Sequence, residues 1–262
     1  MKQHPIGLFD SGVGGTSIWK EVIKLLPNEN TIYLADSKNA PYGEKSSDEI
    51  IALCLKNTEL LISKGCKLII VACNTATTNA IAYLRKKYDI PFIGIEPAIK
   101  PAALYSKTGA IGILATKGTL TSKLFEKTAN EYTKNITTIE QDGEGLVPLI
   151  EAGKLDSKEL NELLSTYLKP MLNFNIDHLV LGCTHYPYLI PTIKKLIGKE
   201  VIIIDSGEAV ALQTKAILDK HQLLSTSSEK SNHLFYTNTQ TEVLSKMLSD
   251  VSVSFRVKKL DF

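Results

Sequence analysis

A strand-sized apolar run followed by a helix-sized amphipathic segment recurs along this chain, and the whole rhythm occurs twice. In the first half the runs are IGLFD, TIYLAD, LIIVAC and PFIGIE. Between them lie segments at helical spacing: Ile18, Val22 and Leu26, then Ile50, Cys54 and Leu61 behind a Ser46/Glu49 capping box and ahead of Gly65, then a helix over residues 74–87 that ends before Pro91. AIGILA, TTIEQD, HLVLGC and VIIID repeat the order. From Asp10 the strand ends fall 26, 63 and 86 residues on, at Asp36, Cys73 and Glu96; from Ala115 they fall 27, 68 and 90 on, at Asp142, Cys183 and Asp205. Strands joined through helices lie parallel, because a parallel pair needs a crossover connection. The expected fold is therefore α/β, two similar doubly wound parallel-sheet lobes with the active site in the cleft between them. The junction falls near residues 96–98 and the return crossing near 205–207. The tail reads as a helix over 208–221, the polar loop LSTSSEKSN, strand HLFYT, a helix over 242–248 and strand VSFRV. Periodicity leaves open which lobe the tail joins.

The 262 residues are 44% hydrophobic and 22% charged, enough to fill two compact cores under a solvated surface. Thirty basic against 28 acidic side chains leave a net charge of +2, which makes no field for nucleic acid, and Lys258 and Lys259 read as a solvated end. The longest apolar runs, 68–73 and 201–204, are strand-sized, and the opening MKQHPIGLFD has no signal-peptide block, so a cytoplasmic protein without a membrane role is expected. Its four cysteines show no CxxC or metal-finger spacing and are expected as free thiols.

In parallel α/β sheets ligands collect at the carboxyl ends of the strands. Cys73 closes LIIVAC and Cys183 closes HLVLGC, the same station in each half, and each is followed by a polar step, Asn74-Thr75 or Thr184-His185. Backbone N–H groups and the positive end of a following helix favour thiolate, so each thiol is expected to titrate nearer the working pH than a free cysteine. A thiolate and a thiol facing each other across an α-carbon form a two-base proton exchanger, and its consequence is inversion. The loops NTATT and TH supply donors for the charge that develops. Asp10 is placed to hold an ammonium or to relay a proton, and His185 to stabilise a thiolate. The loop DSGVGG permits close backbone approach to a ligand but lacks the GK[ST] ending of a phosphate loop. Cys54 and Cys66 read as core residues, and His4, His178, His221 and His233 as surface or structural ones.

The segments GLFDSGVGG, ADSKNAPYGEKS, VACNTATT, LIEAG and LGCTHYPYL, in this order, resemble the motif set of the bacterial glutamate racemases, and the likeness extends to about Ala211. CNT and GCTHYP at matched strand ends are its specific part. The resemblance implies interconversion of L- and D-glutamate for peptidoglycan synthesis, without pyridoxal phosphate, metal or nucleotide. It implies that Cys73 and Cys183 are the catalytic thiols, that Asp10 and His185 assist them, and that Glu151 is a carboxylate near the histidine. Substrate contacts implied are Asp10, Ser11, Tyr42, Gly43, Asn74, Thr75, Thr184 and His185. It also implies a homodimer and places the tail on the first lobe, giving lobes of residues 1–97 with 207–262 and 98–206. Departures fall at Lys38 and Asn39 and in the tail strand HLFYTNTQ. Three rivals remain: an aspartate or other amino-acid racemase, a Cys/His amidohydrolase that would leave one thiol unexplained, and a two-lobed binding protein that would need neither.

Overall fold

A computed structural model of the protein describes residues 2–227 and 229–262. Its first unit runs β1 (Ile6–Asp10), α1 (Thr16–Leu25), β2 (Thr31–Ala35), α2 (Ser47–Ser63), β3 (Leu68–Val71), α3 (Asn74–Lys87) and β4 (Phe92–Gly94). The second runs α4 (Ile99–Tyr105), β5 (Ala110–Ala115), α5 (Lys117–Leu120), α6 (Lys123–Tyr132), β6 (Thr137–Asp142), α7 (Leu146–Glu151), α8 (Lys158–Asn173), β7 (His178–Gly182), α9 (Ile190–Ile197) and β8 (Ile202–Ile204). The tail adds α10 (Gly207–Lys220), β9 (His233–Thr237), α11 (Glu242–Met247) and β10 (Phe255–Lys259).

Two all-parallel sheets result, ordered β10-β9-β2-β1-β3-β4 and β6-β5-β7-β8. Without β9 and β10 the two orders are the same, which makes β3 and β7 topologically equivalent. The tail strand β9 pairs with β2, in the register Ala35↔Thr237, and β10 pairs with β9. The last strand begins two residues later than the VSFRV pattern suggests. It is an edge strand whose exposed face carries Arg256 and Lys258, charges that discourage pairing with another chain.

Both faces of the central strands β1, β2 and β3 are covered, so these three are buried along their whole length rather than alternating. Ile6 and Leu8 of β1 pack with Ile18, Trp19 and Val22 of α1, while Phe9 packs with Ile50, Cys54 and Leu61 of α2 and Ala80 and Leu84 of α3. The Ser46/Glu49 capping box is formed in both directions at the start of α2. Losing such a cap costs about 1 kcal/mol. Gly65, with φ +78°, ends the turn beyond α2. Cys54 and Cys66 are buried, and burial raises both thiols, Cys66 to about 12. His233 is a core residue bonded to Thr31, and burial lowers its imidazole to about 4. No helix among the described residues is long and apolar enough to cross a membrane.

Candidate active site

Cys73 and Cys183, from equivalent strand ends of the two sheets, line one pocket together with Ser11, Tyr42, Gly43, Asn74, Thr75, Thr184 and His185. Both sulfurs belong to buried residues, 5% and 7% exposed. The space left between the walls is ≈ 10 Å³, room for about one water molecule and not for an amino acid. A cavity of ≈ 360 Å³ adjoins it and shares Pro41, Gly43, Thr116 and Val147 with it, so it forms the mouth. Thr116 and Val147 are pocket residues that sequence reasoning missed. Thr116 follows β5 and bonds Thr75 Oγ1 at 2.9 Å across the cleft, a contact that local pattern does not encode.

The surroundings of the two thiols differ. Cys73 is the N-cap of α3 and accepts from the Ala76 N–H at 3.4 Å, as the helix-terminus argument requires. That contact is outweighed. Burial, and after it the Asp10 carboxylate, push the Cys73 thiol well above its ordinary range, so the expectation of a lowered value is corrected at this position. The sulfur lies 3.8 Å from Ser11 Oγ, whose hydroxyl donates to Asp10 Oδ1 at 3.3 Å, giving a chain from thiol to carboxylate. Asp10 is fully buried. Its oxygens accept from Ser11 N at 2.7 Å, Gly15 N at 2.5 Å and Thr184 Oγ1 at 3.3 Å. Burial raises its carboxyl, offset in part by His185 and the Gly15 N–H.

Cys183 Sγ instead faces His185 Nδ1 at 3.7 Å, and His185 Nε2 meets Glu151 Oε1 at 2.6 Å. Burial alone would lower this imidazole. The Cys183 sulfur and the Glu151 carboxylate outweigh it and push the ring well above its usual value. Nε2 then donates to Glu151, and Gly14 N, 3.3 Å from the same nitrogen, is a packing neighbour.

Glu151, at the end of α7, also accepts from Val13 N at 2.6 Å and Ser37 Oγ at 2.8 Å, both in the first unit. Ser17 Oγ donates to the Thr184 carbonyl at 2.9 Å across the same seam. The glycines of DSGVGG serve this seam: a Cβ on Gly14 would lie 2.3 Å from His185 Nδ1, and one on Gly12 1.9 Å from Glu151 Oε1. The room these two glycines leave is thus taken by Glu151 and His185, where the sequence of the loop predicts a ligand. Asn74 is 3% exposed, and both its amide oxygen and its amide nitrogen lack a partner among the described residues. Buried amides are rarely left without partners.

Comparison with known proteins agrees with this architecture. The Asp/Glu/Hydantoin racemase family model matches residues 13–235. A glutamate racemase of Ectopseudomonas mendocina is 47% identical over 225 residues, 86% of this chain and 86% of that protein. Among solved structures, glutamate racemase isoform RacE1 from Bacillus anthracis superimposes with a TM-score of 0.87 at 31% identity, covering 100% of this chain and 99% of that one. Escherichia coli glutamate racemase in complex with L-glutamate and activator UDP-MurNAc-ala gives 0.86 at 31% identity, covering 98% of each chain. With that breadth of match, and paired strand-end cysteines in one buried pocket, this chain belongs to the Asp/Glu/Hydantoin racemase family.

Proposed function

We propose that this protein interconverts L- and D-glutamate without a cofactor, passing the α-proton between Cys73 and Cys183, and so supplies D-glutamate for peptidoglycan synthesis. The observation that carries the reading is the pair of thiols at equivalent strand ends of one pocket, each set against a different polar partner. Cys73 sits against Ser11 and Asp10, where burial and then the carboxylate raise its thiol, while Cys183 faces the His185 ring, which is bonded in turn to Glu151. With the α-carbon between them, the Cys183 sulfur takes the proton as the C–H bond breaks, and the Cys73 S–H delivers its proton to the other face. The cycle leaves Cys183 protonated and Cys73 as thiolate, the form that accepts the opposite enantiomer. Asp10 through Ser11, and Glu151 through His185, return the protons.

The intermediate is a carbanion whose charge spreads onto the substrate carboxylate. Asn74 offers an unpartnered donor and acceptor to the carboxylate and ammonium, with Thr75, Thr184, Tyr42 and Gly43 lining the same pocket. The four hydrogen bonds on Asp10 from Ser11, Gly15 and Thr184 favour a relay role over direct capture of the ammonium. The small pocket is a closed state: substrate enters as the lobes part and is then sealed from water, which strengthens every charge interaction around it. In this reading residues 1–97 with 207–262 form one lobe and 98–206 the other, and the enzyme is a cytoplasmic homodimer.

The test is incubation of the purified protein with L-glutamate in deuterated water, following optical rotation and α-deuterium by NMR. Rotation is expected to decay to zero, with deuterium at the α-carbon of every inverted molecule. Constant rotation refutes the activity, inversion without deuterium refutes solvent-exchanging thiols, and faster reaction on L-aspartate would reassign the substrate.

A second expectation concerns the seam. Gly14→Ala places a methyl group against the His185 ring, so the lobes close out of register. A displacement of about 1 Å at a reacting centre costs about 10²-fold in rate. The variant should keep its circular dichroism spectrum and lose about that factor in kcat/KM; full activity would show that the His185 contact is dispensable.

A further inference from the structure

Tyr42 lines the pocket beside Cys73, yet its hydroxyl is fully engaged by residues the proton transfer does not use. It donates to Asp36 Oδ2 at 2.5 Å and accepts from Asn57 Nδ2 at 3.1 Å. Asp36 follows β2 and is 0% exposed; its other oxygen accepts from Asn39 Nδ2 at 2.7 Å and Asn238 Nδ2 at 2.5 Å. Asn238 follows β9. Because β2 and β9 pair in the register Ala35↔Thr237, Asp36 and Asn238 sit side by side at the carboxyl edge of the sheet. The Asn238 amide holds the start of the loop with both its atoms, since its Oδ1 accepts from Lys38 N at 2.9 Å while its Nδ2 binds Asp36 and reaches the Phe262 carbonyl at 3.4 Å.

We propose that Asp36 and Asn238 are positioning residues that lock residues 37–46, and with them the Tyr42 ring and the Gly43 backbone, into the substrate-binding position, so that the tail strands set substrate affinity. A buried carboxylate holding three donors is costly to leave half-satisfied and rigid when complete, which suits a fixed wall better than a mobile contact. Burial, with Asp36 after it, pushes the Tyr42 hydroxyl well above its ordinary range, so it stays a neutral donor committed to Asp36. The Tyr42 hydroxyl consequently acts on the pocket only through its bonds to Asp36 and Asn57. This rests on the racemase reading for its kinetic part and on geometry alone for its structural part.

The test uses the full-length protein. Asn238→Ala and Asp36→Asn are expected to raise KM for glutamate about tenfold, the scale of one hydrogen bond to a charged group, with kcat within about threefold. In substrate-free protein, hydrogen exchange of the amides over 37–46 should quicken in Asn238→Ala while β1 and β3 stay protected. Tyr42→Phe should raise KM similarly, and the Tyr42→Phe/Asp36→Asn pair should be no worse than the poorer single variant. Exchange unchanged in a folded Asn238→Ala protein, a fall in kcat with KM intact, or multiplying effects in the pair would overturn the proposal, the last by showing that the hydroxyl touches substrate itself. If Asp36→Asn fails to fold, Asn238→Ala and Tyr42→Phe carry the test. Should the wild type fail to racemise glutamate, the racemase reading falls and the exchange measurement alone decides whether Asn238 locks the loop.

Discussion

Replacement of either Cys73 or Cys183 by serine is expected to lower kcat for racemisation by about 10³–10⁴-fold, the upper range of what one positioned acid or base supplies. Serine matches cysteine closely in shape, and each position lies at a strand end where an oxygen replaces sulfur without disturbing the sheet, so the melting curve should shift little. A hydroxyl is a much weaker acid than a thiol, and either loss breaks the same two-proton cycle. The equilibrium constant between enantiomers is unity, so each variant must lose kcat/KM equally in both directions, and the double variant should be hardly worse than the singles. Polarimetry from each pure enantiomer measures this. Cys54→Ser and Cys66→Ser are the controls: both thiols lie in the packed core around α2, outside the pocket, and turnover should be unchanged. Full activity in Cys73→Ser or Cys183→Ser would refute the assignment.

Asp10→Asn is expected to slow turnover by about 10²–10³-fold and to change the pH dependence of stability in the opposite sense from an ordinary surface carboxylate. Catalysis suffers because the chain from Cys73 through Ser11 ends on a group that no longer takes up a proton. For stability, the raised carboxyl means that the folded state binds its proton over a window where the unfolded chain has already lost it. Stability of the wild type therefore falls as pH rises from the ordinary aspartate value, about 3.9, through the raised folded value. Asparagine has no such proton to lose. Whatever constant offset the amide introduces, the variant gains stability relative to the wild type across that window, and melting temperatures measured from pH 4 upward should show the difference growing. A difference that shrinks with pH would mean that Asp10 is stabilised as the carboxylate.

The sequence carried the frame of the molecule because each strand and helix is specified locally. Residues 74–87 form a helix at the stated bounds, the Ser46/Glu49 box is made, and the repeated spacing corresponds to two sheets of the same order. It also brought Cys73 and Cys183 to one pocket, since strand ends at equivalent stations face a common cleft. What it did not contain were properties set by distant partners. The Cys73 thiol is raised rather than lowered because burial competes with the helix terminus, and burial depth is not written in a six-residue motif. Thr116 and Val147 reach the pocket from the second lobe without any motif of their own. Asn238 lies in HLFYTNTQ, where the family likeness is loose, and its bond to Asp36 spans 202 positions. Nor does the spacing of DSGVGG reveal that its glycines make room for His185 and Glu151.

The most direct measurement is a crystal structure of the wild-type protein with glutamate bound in the closed cleft. The account predicts the α-carbon held between Cys73 Sγ and Cys183 Sγ, one sulfur on each face and each within about 3.5 Å, the separation of a near-attack arrangement. Both sulfurs on a single face, or one of them out of reach of the α-carbon, would contradict it.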